Sequence, residues 1–320
     1  MGLILSLGLG GCGQVSSVAH NSSQGTDPSL PSNNTNSSST GLEESGIEEQ
    51  PVRIGVLTID SALSVHNRYA PLLEHLSKVI GQPFELVPLT QESQFTAVEQ
   101  GEIDFITNNP LAAVQVQRLY NTEFLVTYSR PRSGTQFSAL IIVKADSTIQ
   151  TLEDLKGKQV ACVNFETAAA GCLFQVYHLL QNNIDPFQDF DPFIENSSQD
   201  NIVLAVLNGT LDAGFIRTGQ LEKMLKNDLL SDLDDLRILD PINDTFVFKH
   251  TTALYPEWPI AALPGTDPEL RDALQSALVT LPEGHTALSA ANIEQFTEAV
   301  DYQPIHDLIE TLQLKSWDVD

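Results

Sequence analysis

The sequence predicts an α/β fold of two lobes that close like a clamshell. The chain has 320 residues, a length that suits two lobes of ordinary size. From Val52 onward, short apolar runs of strand length alternate with segments whose apolar residues recur at helical spacing. This alternation indicates sheets flanked by helices. The helical segments at the C-terminal end have no strands of their own, so we expect them to return to the first block.

The first block covers residues 52–137. Its predicted strands are 52–57, 84–89, 103–107 and 124–129. Its predicted helices are 67–80, a short segment that ends at 96–101, and 110–120. Because each helix lies between two strands, we expect a parallel sheet with helices on its faces.

The second block covers residues 140–245. Its predicted strands are 138–145, 159–164, 191–195, 211–218 and 236–240. A helical turn is predicted from the cap residue Thr151. Residues 165–181 are predicted to pass from a strand into a helix, and residues 200–209 to form a short helix. Residues 250–264 are expected to be extended, and the remaining predicted helices are 268–281, 291–300 and 302–314.

This order predicts two crossings of the chain between the lobes, near 138–143 and near 246–255. The first lobe would then comprise residues 52–137 plus 246–320, and the second lobe residues 138–245. In such folds, ligands bind in the cleft where strands end at their carboxyl termini.

The N-terminal residues predict a targeting segment rather than a folded element. Residues 1–11 form an apolar run that ends in small residues before Cys12, which is typical of a signal peptide. The stretch from Leu9 to Cys12 resembles the bacterial lipobox, after which Cys12 would be lipidated; the alternative is an ordinary small residue of a signal peptide. Residues 13–50 are rich in Ser, Asn, Gly and Thr, and are expected to form a disordered tether. We therefore expect a lipid-anchored protein on the outer, periplasmic side of a bacterial membrane.

The charge of the chain excludes several classes of partner. Asp and Glu number 42 against 16 Lys and Arg, which gives a formal net charge of −26. Such a surface repels nucleic-acid phosphates and anionic lipid, so we expect neither as a partner. Any bound anion must be held by local dipoles and hydrogen bonds, because the overall field opposes it.

Several stretches, in order, resemble one known family. They are AVEQGEIDFITNNP, STIQTLEDLKGKQVACVN, NNIDPFQDF, DNIVLAVLNGTLDAGFIRT, TTALYPEWPIAALPGTDPEL and VDYQPIHDLIETLQL. From Val52 to about Trp317 the chain resembles the PhnD-like solute-binding proteins, the phosphate, phosphite and phosphonate receptors of ABC importers. The last two stretches resemble members fused to sensor kinases. The resemblance implies a type II periplasmic-binding-protein fold, with mixed sheets, and capture of a small anionic ligand.

The family's ligand turn is altered in this chain. Members of the family often carry a Ser-Thr-Ser-Gly turn at a helix N-terminus, and here Ala168, Ala169 and Ala170 precede Gly171. The backbone donors of Ala168 and Ala169 remain. Gln199 stands where members usually carry a His. The missing hydroxyls predict a ligand less polar than free phosphate.

Two helix starts are the first candidates for ligand contact. Thr167 opens the helical segment after a second-lobe strand, where free N–H groups form an anion seat without a basic side chain. Asn108 and Asn109 hold the matching place in the first lobe. For Thr167 and for the two asparagines, the alternative role is helix capping.

Three further residues could reach the cleft. Arg217 would emerge at a strand end and could hold an anion bidentately, or it could pair with one of the many acidic residues. Asp200 could cap the helix that starts at Asn201, or accept a hydrogen bond from a ligand hydroxyl or ammonium. Ser138 lies at the first predicted crossing.

No catalytic or metal-binding motif is found. The sequence contains neither G-x-S-x-G nor H-E-x-x-H, and its seven His are scattered, so we expect no enzymatic activity, no cofactor and no metal. Cys162 and Cys172 could pair in an oxidising compartment or remain buried thiols. We therefore predict a monomeric solute-binding lipoprotein that delivers a small oxyanion to an ABC permease; the alternative is a receptor domain that presents its closed form to a membrane sensor kinase.

Overall fold

The structure, a computed structural model, describes residues 50–313 apart from residue 60. The predicted signal peptide, the lipidated Cys12 and almost all of the tether lie outside the described residues. Within the described part, no helix is long and apolar enough to cross a bilayer.

The described residues contain these strands: β1 (Val52–Leu57), β2 (Phe84–Leu89), β3 (Phe105–Thr107), β4 (Glu123–Ser129), β5 (Gln136–Phe137), β6 (Ala139–Lys144), β7 (Val160–Cys162), β8 (Phe193–Glu195), β9 (Ala213–Arg217), β10 (Leu236–Leu239), β11 (Tyr255–Pro256), β12 (Pro259–Ala262) and β13 (Gln295–Glu298). The helices are α1 (Ala62–Ile80), α2 (Ser93–Glu99), α3 (Pro110–Tyr120), α4 (Phe174–Gln181), α5 (Pro186–Asp189), α6 (Gln199–Leu207), α7 (Gln220–Lys226), α8 (Pro268–Val279), α9 (Thr286–Ser289) and α10 (Gln303–Leu312). A 3₁₀ turn (Leu152–Leu155) and a π-helical turn (Ala169–Leu173) complete the set.

The strands form two main sheets and one short ribbon. The first sheet has the order β13-β4-β12-β3-β1-β2, and the second has the order β10-β6-β9-β7-β8. Strand β1 pairs in parallel with β2 and β3, and β7 pairs in parallel with β8 and β9. The pairs made by β12, β13 and β6 are antiparallel. Both sheets are therefore mixed, and the purely parallel sheet expected from the first block gains two strands, β12 and β13, that run in the opposite direction to the others.

Strands β5 and β11 pair antiparallel and form the short ribbon. Along the chain, β5 lies between β4 of the first sheet and β6 of the second, and β11 lies between β10 of the second sheet and β12 of the first. Its two strands thus lie where the chain passes from the first sheet to the second and back. The exact lobe boundaries stay a prediction.

One predicted helix is a strand. The segment 291–300 was expected to be helical, but residues 295–298 form β13, which pairs with β4 at the edge of the first sheet. Phe296 is buried there, and its ring meets the edge of Tyr128 at 5.3 Å between centroids. This tertiary pairing overrides the local helical preference. Helix α8, further back in the same C-terminal segment, packs on α1 and β4 of the first block.

Local capping explains several helix boundaries. Helix α1 begins at Ala62, earlier than expected, because the Ser61 side chain accepts a hydrogen bond from the Ser64 backbone N–H. It ends at Ile80 and is capped by Gly81, whose φ of 84° only a glycine adopts readily. The predicted cap at Thr151 is confirmed, with the Asp154 carboxylate accepting from the Thr151 backbone N–H.

Helix α10 joins the cores of the two sheets. It packs on both α3 and α4. Its buried residues Ile305 and Leu308 belong to the same apolar cluster as Leu111 of α3 and Phe174 of α4. The apolar core is therefore continuous beside the place where we expected the cleft.

Candidate functional site

The first side of the site follows strand β3. Asn108 and Asn109 come directly after Thr107, at the carboxyl end of the strand, and α3 begins at Pro110. The Asn109 Oδ1 accepts from the Ala112 N–H at 3.1 Å, so Asn109 is the helix cap that the sequence offered as an alternative. Both asparagines are buried, and the Asn108 Nδ2 donates to the Gln94 Oε1 at 2.9 Å.

The side-chain oxygen of Asn108, unlike its Nδ2, makes no hydrogen bond to the described residues. Among the described residues, the buried Asn108 Oδ1 has no hydrogen-bond partner. Asn108 is 1 % exposed, so this acceptor lies in the interior at the strand end. A buried acceptor without a partner costs free energy unless water or a ligand satisfies it.

The second side of the site is a turn that Asn164 organises after strand β7. The Asn164 Oδ1 accepts from the Glu166 N–H at 3.0 Å, the Thr167 N–H at 2.8 Å and the Thr167 hydroxyl at 2.9 Å. Thr167 therefore supports the turn, and the cap position itself is Ala168, which has no side-chain capping bond. The capping role considered for Thr167 is wrong.

The π-helical turn follows immediately. Ala168, Ala169 and Ala170 are 3–6 % exposed. The first N–H groups of a helical turn have no acceptor within that turn, because the residues that would accept lie before it. These amides therefore offer neutral donors with positive helix-end polarity at the end of a strand of the second sheet.

A disulfide fixes this turn to strand β7. Cys162 ends β7, Cys172 lies in the π-helical turn, and their Cα atoms are 5.0 Å apart. Both cysteines are fully buried. The Val163 N–H donates to the Gly171 carbonyl at 3.0 Å, beside the bridge. Of the two possibilities that the sequence left open, the structure has the paired cysteines.

Gln199 and Arg217 lie together beside the turn. The Arg217 N–H donates to the Gln199 Oε1 at 2.8 Å. A Cβ placed on Gly171 would lie 3.1 Å from the Gln199 Nε2, so the absence of a side chain at Gly171 lets this amide approach the turn. An Arg217 Nη1 donates to the Thr218 carbonyl at 3.3 Å.

Asp200 does not cap helix α6. The Ser198 hydroxyl accepts from the Asn201 N–H at 3.2 Å and is the cap, so the capping role expected for Asp200 is wrong. Asp200 lies in the first turn of α6, where its carboxylate accepts a hydrogen bond from the Gln220 Nε2. A carboxylate in a first helical turn is favoured by the helix dipole.

Ser138 belongs to the crossing between the sheets. It is fully buried, and its hydroxyl contacts the Thr252 carbonyl at 2.7 Å and the Ala253 carbonyl at 2.9 Å. The Thr218 hydroxyl also bonds to the Ser138 backbone. These contacts join the two strands that pass between the sheets.

The same crossing contains a buried histidine that the sequence analysis did not select. The Nδ1 of His250 lies 2.7 Å from the Thr252 carbonyl, and its Nε2 lies 3.1 Å from the Asp244 carboxylate. The Phe246 N–H, and then His250, hold the pKa of Asp244 below its usual range. The sequence around it, a histidine followed by two threonines at the start of a predicted extended segment, is not a specific signal for a buried histidine.

The two sides of the site are in contact. The Asn109 Nδ2 donates to the Thr167 carbonyl at 2.9 Å, and the Gln115 Nε2 donates to the Glu166 carbonyl at 3.2 Å. The structure thus brings together the two helix starts that the sequence singled out. Gln115, a fully buried amide within the apolar face of α3, was missed. Its only sequence signal is a polar residue inside an apolar run.

The described part of the chain holds no group of three His, Cys, Asp or Glu side chains placed to bind a metal ion. The donors at the site are amides and one guanidinium, and the acceptors are amide oxygens and the Asp200 carboxylate. This set suits a small polar solute held by hydrogen bonds.

Comparison with known proteins gives a family and several structural relatives. Residues 54–303 match the family described as the periplasmic substrate-binding protein of phosphonate ABC transporters. The fold is similar to that of PhnD1 from Prochlorococcus marinus, solved in complex with methylphosphonate, with a TM-score of 0.66, 17% identity, and coverage of 82% of this chain and 98% of that one. It is also similar to a binding-protein component of an ABC phosphonate transporter from Pseudomonas aeruginosa, with a TM-score of 0.65, 19% identity, and coverage of 83% and 86%. The predicted two-lobed type II binding-protein fold is confirmed by this likeness.

A relative of a different kind is the tetrathionate sensor histidine kinase TtrS of Salmonella typhimurium. The identity is 27% over 274 residues, which are 82% of this chain and 46% of the kinase. The chain therefore spans less than half the length of this relative.

Proposed function

Because this chain belongs to the family of periplasmic substrate-binding proteins of phosphonate ABC transporters, we propose that it captures a small oxyanion outside the cytoplasm and delivers it to an ABC permease. A phosphonate-like group is the first candidate for the ligand. The observation that carries the proposal is the pair of facing helix starts, joined by the hydrogen bond from Asn109 to the Thr167 carbonyl.

The oxyanion would bind at the N–H groups of Ala168 and Ala169. These amides are neutral, so they hold an anion without adding a charge to a chain whose formal net charge is −26. Burial strengthens such hydrogen bonds, because the local dielectric is low. The alanine side chains leave an apolar wall where hydroxyls would otherwise favour free phosphate, which supports a ligand with an apolar substituent.

Arg217 would supply the one positive charge, and Gln199 would set its position through the bond to the Arg217 N–H. Asn108 and Asp200 would act as acceptors toward hydroxyl or ammonium groups of the ligand. Ser138 would act at the crossing and reach the ligand only from the hinge side of the cleft.

Closure would occur by rotation of the two lobes about the β5–β11 ribbon and the residues next to it. The first lobe would comprise residues 52–137 plus 246–320, and the second residues 138–245. A ligand can drive this closure only by binding the closed form more tightly than the open form. The protein acts as a monomer in this scheme, and no catalytic step is part of it.

We also propose that the protein is exported and anchored by a lipid on Cys12, with the following residues as a tether. The apolar run before Leu9-Gly10-Gly11-Cys12 supports this. Wild type and Cys12→Ala should be expressed in a bacterium and fractionated. Membrane recovery of wild type alone, with a mass increase from the lipid, is the expected result; equal partition and equal mass of the two mature forms would refute it.

The ligand proposal is tested by calorimetry with Arg217→Ala. A charge-assisted hydrogen bond contributes roughly 1.5–3 kcal/mol, so the variant should bind its oxyanion about ten- to a hundredfold more weakly. Arg271→Ala is the matched control, because Arg271 pairs with Glu123 and Asp272 on the protein surface. Equal affinities of wild type and Arg217→Ala would remove Arg217 from the site.

A second candidate function is ligand sensing. The match to a sensor histidine kinase over 82% of this chain favours it. In that case the closed form would be presented to a membrane kinase rather than to a permease. In-cell crosslinking in the native host, with and without the ligand, distinguishes the two, because a permease subunit or a kinase would be recovered specifically with the closed form.

A further inference from the structure

Helix α3 reaches across the site with two side-chain amides. Asn109 and Gln115 each donate to a backbone carbonyl of the turn that precedes the π-helical turn, at 2.9 and 3.2 Å. Asn109 is 7 % exposed and Gln115 is fully buried. These hydrogen bonds join parts of the molecule that carry different sheets, so a rotation that separates the two lobes would break them.

The turn that receives these bonds is already formed within its own lobe. Asn164 binds the N–H groups of Glu166 and Thr167 and the hydroxyl of Thr167. Asn164 thus fixes the two peptide groups through their N–H groups, and the carbonyls of Glu166 and Thr167 accept hydrogen bonds from the two α3 side chains. The acceptor geometry is therefore preorganised, and closure adds only the two donors.

One of these carbonyls belongs to the anion seat itself. The Thr167 carbonyl and the Ala168 N–H are parts of one planar peptide unit, and in a trans peptide they point in opposite directions. A hydrogen bond to the Thr167 oxygen therefore fixes the direction of the Ala168 N–H. It also polarises that N–H, because hydrogen bonds in a chain strengthen one another.

We propose that Asn109 and Gln115 are positioning residues that complete the anion seat on closure, and that they hold a fraction of the molecules closed before any ligand binds. This deepens the proposed function and rests on it. Ligand affinity then scales with the closed fraction, because the apparent dissociation constant is the intrinsic one divided by the fraction of competent molecules.

Three variants separate this role from ordinary packing. Gln115→Met keeps the size and the burial of the side chain but removes the donor. Gln117→Met makes the same change on the same helix, away from the turn, and is the matched control. Asn109→Ser keeps a good helix cap but is too short to reach Thr167.

The first measurement needs no ligand. The full chain, with Cys12→Ser, carries spin labels at Val79→Cys on α1 and Leu204→Cys on α6, two exposed positions on the two lobes. Double electron–electron resonance should resolve a short, closed distance in the ligand-free protein. Gln115→Met and Asn109→Ser should lower the closed-to-open ratio about two- to tenfold, the range expected for one hydrogen bond, while Gln117→Met leaves it unchanged.

The second measurement uses methylphosphonate as the probe in calorimetry. Gln115→Met should weaken binding by the same factor by which it lowers the closed fraction, with unchanged urea stability. A ligand-free protein that is entirely open, or a ratio that Gln115→Met and Gln117→Met change equally, would overturn the proposal. Failure of methylphosphonate to bind would count against the proposed ligand alone, since the distance measurement decides the positioning role separately.

Discussion

Removal of the disulfide should weaken both the fold and the anion seat. The bridge joins the end of β7 to the π-helical turn whose amides we assign to the ligand. The double variant Cys162→Ala/Cys172→Ala, in a Cys12→Ser background, removes it without leaving a lone buried thiol. Because both positions are fully buried among apolar residues, alanine is a better replacement there than serine.

The size of the effect follows from the loop that the bridge closes. The two cysteines are separated by 10 residues, for which the chain-entropy relation gives about 2.7 kcal/mol. Urea unfolding should therefore show a loss of roughly 2–3 kcal/mol relative to Cys12→Ser alone. The turn would also lose a covalent tie to its strand, so oxyanion affinity should fall together with stability.

Two results would refute this reasoning. Titration of the unfolded, non-reduced protein could find two free thiols at positions 162 and 172, which would mean that no bridge forms. Alternatively, the double variant could unfold at the same urea concentration as its parent, which would mean that the bridge does not constrain the chain.

Three further predictions concern packing, protonation and the overall field. Gly214→Ala on β9 should cost about 1–3 kcal/mol in urea unfolding, because its Cβ would overlap the Cγ2 of Ile202; an unchanged midpoint would show that α6 can move away. The pKa of His75 is lowered from 6.5 by burial and then by His285 and Lys78, so the folded state binds this proton less tightly than the unfolded chain. The stability that neutral His75 contributes is complete above pH 6.5 and is lost as the pH falls below that value. The thermal midpoint should therefore fall less steeply on acidification in His75→Gln than in wild type. Equal slopes of thermal midpoint against pH in the two proteins would contradict this. Added salt should leave anion affinity nearly unchanged or speed association, since the net charge is −26, whereas a steep loss of affinity with salt would indicate a basic site.

The alternation of strands and helices was readable from the sequence because each element buries a periodic apolar face. The cap at Asn109 and the glycine after α1 were local signals, and they set boundaries as expected or within a few residues. The strand β13 was not readable, since residues 295–298 adopt it only by pairing with β4 and burying Phe296. Pairing between distant segments leaves no local pattern.

The site could be predicted in part because its two facing turns directly follow strands. The end of a strand is visible in a sequence as the point where an apolar run stops. The sequence could not show that the π-helical turn brings the Cα atoms of Cys162 and Cys172 to 5.0 Å, or that Asn164 occupies the Thr167 hydroxyl. Gln115 was missed because its partner, the Glu166 carbonyl, lies 51 residues further along the chain.

The central claim is that a small oxyanion binds between the two facing turns. The most direct test is calorimetry of the full chain with phosphate, phosphite, methylphosphonate, aminoethylphosphonate, sulfonates and small carboxylates, with a neutral sugar and an organic cation as counter-ligands. The account predicts saturable binding of at least one oxyanion, a phosphonate-like group first among them, with affinity reduced about ten- to a hundredfold in Arg217→Ala. Binding of only the sugar or the cation, with Arg217→Ala equal to wild type, would contradict both the ligand class and the site.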